Sequence, residues 1–211
     1  MQMPEKNIKG FSLLELLVVI AIVGIISAVA YPNFSSWKKD REVRVVTEKV
    51  ANLLSSLNTL SQRGSYPYVQ IYFKFDQGQF SVLGKGMLRD SMSSLLNAGT
   101  ALNCSMVNAG YWSNHEIKII QTDQVKINFN SNSAICFSQD GSYYQTMGDL
   151  NGETSLIICA NSVAARNGKC PSTKANGLTI NGVAQQAYLI EWNRFSNIIK
   201  KRWNGNAWTT Q

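Results

Sequence analysis

From Phe11 to Tyr31 the chain runs 21 residues with Ser12, Glu15 and Ser27 as its polar side chains. As a helix such a run extends about 31 Å, the hydrocarbon thickness of a bilayer, so it is long enough to cross one. Lys6 and Lys9 precede it, and by the positive-inside tendency they keep that end in the cytoplasm and send residues 32–211 across. Beyond Pro32 the pattern becomes periodic: Val43, Val46, Val50, Leu53, Leu54, Leu57 and Leu60 recur at steps of three and four. That spacing predicts one apolar helical stripe suited to packing on a sheet, with Glu48, Lys49 and Asn52 on other faces. Gly64 and Pro67 supply a stop. One helix from Phe11 to about Arg63 would measure about 80 Å, too long for a globular domain of this size, and must protrude from it.

After the helix the texture changes to short β-like runs broken by glycine, asparagine and serine. Strands are expected over Tyr68–Phe75, Gln79–Leu83, Glu116–Gln121, Gln124–Phe129, Ala134–Ser138, Ser142–Thr146, Thr154–Ala160, Ala187–Trp192 and Phe195–Trp203. Asp76-Gln77-Gly78, Thr122-Asp123 and Gln139-Asp140-Gly141 read as tight turns, and such short connections join antiparallel strands. The expected fold class is therefore α+β, with one helix laid across antiparallel sheet layers. A short helix is expected over Leu88–Leu96.

The stretch Lys9-Gly10-Phe11-Ser12-Leu13-Leu14-Glu15, followed by the apolar run and Tyr31-Pro32, resembles the class III signal of type IV prepilins and type II secretion pseudopilins. The resemblance implies a leader, residues 1–10, removed by a prepilin peptidase between Gly10 and Phe11, with N-methylation of Phe11. It implies a membrane or filament-core helix over 11–31, an amphipathic continuation over 32–64 bent at Pro32, and a periplasmic or extracellular β-rich domain over 65–211. It also implies that Glu15 meets the terminal amine of a neighbouring subunit. Physics agrees independently, because an ionisable group at membrane depth is costly unless paired. The alternative is a plain signal anchor in which Glu15 snorkels to the headgroups. No small-x-small cleavage site clearly follows the run, as a secretory signal would require.

The helix end ANLLSSLNTLSQRG, the strand YVQIYF and the segment ICFSQDGSYY are similar to FimT/GspH-like minor pilins. There an aromatic-x-x-Asp-Gly turn, here Phe137 to Gly141, joins two strands of the second sheet. Residues 85–115 and 160–186 then read as insertions. The partners implied are other pilins or pseudopilins, the prepilin peptidase and the inner membrane, spanned once before assembly into a pilus or pseudopilus.

Four cysteines, Cys104, Cys136, Cys159 and Cys170, suit an oxidising compartment and two disulfides in any of three connectivities. Cys159 and Cys170 enclose a polar loop that would gain from being tied off, which leaves Cys104 with Cys136. With no CxxC pair and His115 as the single histidine, no metal site or cofactor is expected. No nucleophile elbow, P-loop or paired-carboxylate pattern points to an enzyme.

Charge adds one more candidate. The chain holds 20 Lys+Arg against 13 Asp+Glu, a net +7. Loss of the leader removes Lys6, Lys9 and Glu5, one unit of excess, and leaves +6. The last 18 residues hold Arg194, Lys200, Lys201 and Arg202 with no acid, interleaved with Phe195, Trp203 and Trp208. Cations beside aromatic faces are the footprint of sequence-independent nucleic-acid binding. The resemblance implies the same role, since some FimT-like pilins capture DNA in natural transformation, so Arg194, Lys200, Lys201, Arg202 and Trp203 are candidate DNA contacts. A competing reading places Lys200 and Arg202 on one strand face and Lys201 on the other as ordinary edge-strand cations, with the tryptophans closing the core. The expected function is a minor pilin of a type IV pilus, with a type II secretion pseudopilin as the alternative.

Overall fold

The apolar run and the periodic stripe fall in one continuous helix, α1 (Leu13–Gln62), of 50 residues. The computed structural model describes residues 11–76, 79–104, 112, 119–123, 125–129, 131–161, 170, 179–180, 183–184, 187–195 and 197–211. The chain divides into two compact units, Met1–Lys38 and Lys39–Gln211. The first unit is the N-terminal part of α1, and the second holds the rest of α1 and all of the β structure.

In the second unit the strands are β1 (Tyr68–Asp76), β2 (Gln79–Met87), β3 (Ile119–Thr122), β4 (Val125–Ile127), β5 (Ser133–Ser138), β6 (Gln145–Met147), β7 (Ser155–Ala160), β8 (Thr179–Ile180), β9 (Val183–Ala184), β10 (Ala187–Trp192), β11 (Ile198–Trp203) and β12 (Trp208–Thr210). A second helix, α2 (Arg89–Asn97), follows β2. Two five-stranded sheets result, in the orders β3-β2-β1-β5-β6 and β12-β11-β10-β7-β4, beside a two-stranded β8-β9 ribbon. Every pairing between these strands is antiparallel. This is the α+β type IV pilin-like fold, a helix followed by antiparallel sheets.

The stripe residues Val43, Val46, Val50, Leu53, Leu54 and Leu57 share one cluster with Ile71 and Phe73 of β1, Val82 of β2, Ile135 and Phe137 of β5, Leu156 and Ile158 of β7, and Tyr188 and Ile190 of β10. One helical stripe therefore serves the inner faces of both sheets. The outer face of the first sheet is covered too, where Tyr68, Tyr72 and Met87 pack with Leu95 of α2, Leu102 and Trp112. Strands buried on both faces lose the alternation of half-exposed strands, and β5 and β7 are buried along their whole lengths. Gly84 of β2 permits the close approach of α1, because a Cβ there would lie 2.8 Å from a Leu57 methyl. Gly64, at φ 74°, ends the helix, and the Ser65 amide behind it donates to the Leu60 carbonyl.

Some boundaries differ from the sequence expectation, each for a local reason. The strand beginning at Gln79 runs on to Met87, because Gly84 and Gly86 keep pairing with Ile71 and Val69 of β1. The strand expected over Ser142–Thr146 shrinks to β6, since Ser142 and Tyr143 are held by the preceding turn. The last long strand begins at Ile198 rather than Phe195, because the Asn193 side chain accepts from the amides of Phe195 and Asn197 and closes a turn. The Phe137–Gly141 turn joins β5 and β6, and both lie in the first sheet because β5 pairs with β1; its placement in the second sheet is corrected. Strands β8, β9 and β12 lie outside the expected set. Gly10 and His115 lie outside the described residues, as does most of 105–118 and 162–178.

The core assignment predicts that Leu57→Ala destabilises the unit 39–211 by about 2–5 kcal/mol. Val45→Ala, on the exposed side of the same helix, should stay within about 0.5 kcal/mol. Urea unfolding of both variants, read by tryptophan fluorescence, checks the contrast.

Candidate functional site

At the start of α1 the Ser12 hydroxyl accepts a hydrogen bond from the Glu15 amide at 3.1 Å, and the Ser12 carbonyl accepts from the Leu16 amide at 3.1 Å. Ser12 is thus an N-cap, and Ser-x-x-Glu is the sequence pattern of a capping box. The sequence signal for it is the Ser12-x-x-Glu15 spacing, which the sequence reading above does not use. Glu15 sits in the first helical turn, where the helix dipole favours a carboxylate. Around it the apolar side chains are exposed on every side: Phe11 at 82 %, with Leu13, Leu16, Val19, Ile22 and Ile26 also exposed. Among the described residues no helix is long and apolar enough to cross a membrane. The helical part of the run with described side chains is residues 13–28, about 24 Å at 1.5 Å per residue against a bilayer core of about 30 Å. The rest of the expected span, residues 29–31, and Pro32 have side chains outside those described.

The basic C-terminal strand is placed by register. Lys200 lies opposite Ile190 and Arg202 opposite Tyr188, which puts both cations on the face turned to α1, while Lys201 lies opposite Leu189 on the other face. There the Lys200 ammonium meets Glu48 at 2.6 Å and the Arg202 guanidinium meets Asp40 at 3.0 Å. The Tyr188 hydroxyl donates to the second oxygen of Asp40 at 3.1 Å. Burial, with the Asp40 charge beside it, pushes this hydroxyl up to about 12. Lys201 pairs with Glu191 at 2.6 Å. Three of the four candidate cations are therefore matched by carboxylates of the same unit. Trp203 is buried at 6 % exposure against Trp208, ring centroids 5.3 Å apart, so its ring is committed to packing. Arg194 is exposed at the β10–β11 turn with its guanidinium 4.7 Å from the Phe195 ring centroid. The structure separates it from the other three. The sequence reading names Glu48 as lying off the apolar stripe and leaves Asp40 unnamed, although two acids on a helix and alternating cations on a strand are the signal for such a match.

The turn after β5 is held by one carboxylate. Asp140 accepts from the Ser138 hydroxyl at 2.5 Å, the Ser142 hydroxyl at 2.7 Å and the Ser142 amide at 3.0 Å. The side chain of Gln139 donates to the Gln62 carbonyl at 3.0 Å and that of Gln62 donates to the Gln139 carbonyl at 3.1 Å, which joins the turn to the end of α1. The disulfides are Cys104–Cys136 and Cys159–Cys170, with Cα separations of 5.6 and 5.9 Å. The first ties the segment after α2 to β5, assisted by Gln145, which accepts from the Cys104 amide and donates to the Leu102 carbonyl. The second seats Cys170 beside β4, where its amide donates to the Ile127 carbonyl at 2.8 Å. Among the described residues no cluster of His, Cys, Asp and Glu could hold a metal ion.

Residues 6–31 match the family described as the prokaryotic N-terminal methylation motif. The chain is 50 % identical over 42 residues to the type IV wide pilus major component PilA4 of Thermus thermophilus, covering 20 % of this chain and 32 % of that protein. It is 38 % identical over 56 residues to a fimbrial protein of Moraxella nonliquefaciens, covering 26 % of this chain and 36 % of that protein. The chain thus spans about a third of the length of these curated relatives. No solved structure matches it. Motif, relatives and fold together support the type IV pilin superfamily.

The Asp140 turn predicts a pH dependence. Hydrogen bonds from Ser138 and then Ser142 hold its carboxyl at about 2, below the unfolded value of about 3.9. A depressed pKa contributes stability that is present above about pH 4 and lost as pH falls toward 2. The stability advantage of the parent over Asp140→Asn should therefore shrink between about pH 5 and 2, measured as the difference in Tm. A pH-independent difference would contradict this account of the turn.

Proposed function

We propose that this type IV pilin-like chain is a FimT/GspH-like minor pilin that assembles into a type IV pilus through its N-terminal helix. The observation that carries the proposal is the division of apolar surface. Among the described residues the core clusters lie within residues 43–203, while Phe11 and the helix from Leu13 to Ile26 leave their apolar side chains exposed all round. A surface of that kind is stable in a bilayer or among other such helices. Cleavage between Gly10 and Phe11 by a prepilin peptidase, followed by methylation of Phe11, yields a subunit anchored once in the inner membrane with its β domain in the periplasm.

Glu15 supplies the register of assembly. Among apolar neighbours its carboxylate is costly until it meets an opposite charge, and the new α-ammonium of an adjacent subunit is a compact cation at the correct end of a neighbouring helix. The same device would serve a type II secretion pseudopilin, and rescue of pilus formation against rescue of protein export in deletion strains distinguishes the two.

DNA capture is the finer part of the reading. In residues 39–49 and β11, with Glu191 of the neighbouring β10, seven cations (Lys39, Arg41, Arg44, Lys49, Lys200, Lys201 and Arg202) stand against four acids (Asp40, Glu42, Glu48 and Glu191), an excess of three. This excess supports attraction of polyanions even though Lys200, Lys201 and Arg202 also hold the sheet to the helix or to β10.

Glu15→Leu should leave membrane fractionation intact and reduce recovery in sheared filaments by about tenfold, the equivalent of losing about 1.4 kcal/mol. Undiminished incorporation would remove Glu15 from the assembly mechanism. For DNA, the folded unit 39–211 should bind labelled duplex in a way that weakens as salt rises. Absence of binding at low salt would leave an assembly subunit alone.

A further inference from the structure

Residues 88–104 lie against the outer face of the first sheet without joining it. They hold α2 and add no rung to either sheet. The chain leaves the sheet after Met87 and is paired with it again at Trp112, which bridges to Met87 itself. The excursion thus departs from and returns to one place, and the bond from Cys104 to Cys136 of β5 is its covalent tie to the sheet.

The non-covalent hold is mixed. Leu95, Leu102 and Cys104 pack with Tyr68, Tyr72 and Met87. Gln70 of β1 donates to the Cys104 carbonyl at 2.6 Å, and Gln145 of β6 accepts from the Cys104 amide at 2.9 Å and donates to the Leu102 carbonyl at 3.0 Å. Against this, the layer buries three polar atoms with no hydrogen-bond partner among the described residues: the Tyr68 hydroxyl, the Gln70 side-chain oxygen and the Trp112 indole N–H. Each has lost water without a replacement, a penalty that is relieved when the layer lifts. Helix α2 adds little cohesion of its own. It has nine residues, no side chain caps its N-terminus, and it begins with Arg89, a cation at the positive end of the helix dipole. Leu88 and Leu96 stay exposed. Cys170 of the other disulfide differs, because its amide also donates to the Ile127 carbonyl of β4.

We propose that residues 88–104 form a flap hinged at the Met87–Trp112 bridge and locked by Cys104–Cys136. With both thiols free the flap lifts and uncovers Tyr68, Gln70 and Tyr72 of β1, while Val69, Ile71 and Phe73 on the other face of that strand stay in the core with α1. Exchange with an external disulfide closes the lock. The two cysteines give up two protons and two electrons and form one S–S bond, and the external disulfide takes them up to become a dithiol. Exposure of this sheet face is thereby tied to the thiol–disulfide balance of the compartment. The flap belongs to the β-rich unit alone and does not depend on the assembly or DNA readings.

Hydrogen exchange of the full chain in nonionic detergent micelles, read by mass spectrometry, tests the lock. The oxidised parent is compared with the parent reduced by dithiothreitol, its free thiols counted by alkylation, and with Cys104→Ser combined with Cys136→Ser. In both open forms the amides of residues 90–104 should exchange about tenfold faster, while those of residues 46–57 in α1 change by less than about twofold. Cys159→Ser combined with Cys170→Ser should leave residues 90–104 as protected as in the oxidised parent. The reduced parent carries the test if the Cys104 and Cys136 variant does not fold. Unchanged protection of residues 90–104 with Cys104 and Cys136 reduced would overturn the proposal. Equal loss of protection in α1 of the reduced parent would also overturn it, because flap and core would then open as one.

Discussion

Both five-stranded sheets depend on one stripe of one helix for their inner faces. Leu53, Leu54 and Leu57 are almost fully buried, and their cluster reaches strands of both sheets. A sheet with one apolar face needs a cover, and here a single cover serves two. Gly84 shows how tight the fit is, since the space of one methyl group at that position is already taken by Leu57. The same helix begins with an apolar surface on all sides. Along the C-terminal half one stripe lies in the protein interior, while residues 13–26 leave their apolar side chains exposed on all sides.

Charge follows the same division. In the second unit Asp40 and Glu48 of α1 are matched by Arg202 and Lys200 of β11, and the Asp40 carboxylate is shared by Arg202 and Tyr188. Partly exposed ion pairs contribute little individually, about 0–1 kcal/mol, but they fix which face of β11 meets the helix. They also redistribute the excess positive charge. The C-terminal strand, the most basic stretch of the sequence, is largely neutralised within the fold, and the exposed side of α1 near Lys39, Arg41 and Arg44 carries cations instead.

Much of this was legible in the residues because its physical basis is local. The stripe of α1, the strand Ala187–Trp192 and the turn at Asp140 each follow from period or turn chemistry. Of the three disulfide connectivities open in the sequence, the observed one includes the short closure between Cys159 and Cys170 that the polar segment favours. What escaped was set by partners distant in the chain. Gly84-Lys85-Gly86 reads as a break by propensity, yet remains a strand because β1 pairs with it on one side and α1 leaves room for nothing larger. The membership of β5 and β6 in the first sheet is decided by pairing with β1. The matches of Asp40 and Glu48 span more than 150 residues of sequence, beyond the reach of any periodicity. The cap at Ser12, by contrast, is local, and its signal is the Ser-x-x-Glu spacing at the start of the apolar run.

The central claim is that residues 11–31 remain on the mature chain and carry it into a fibre. The most direct measurement is mass spectrometry of the N-terminal peptide of this chain in fibres sheared from cells. A peptide that begins at Phe11 and carries one methyl group on its amine is the result this account predicts. A chain absent from the fibres, or one found in the periplasm with the apolar run removed, would contradict it.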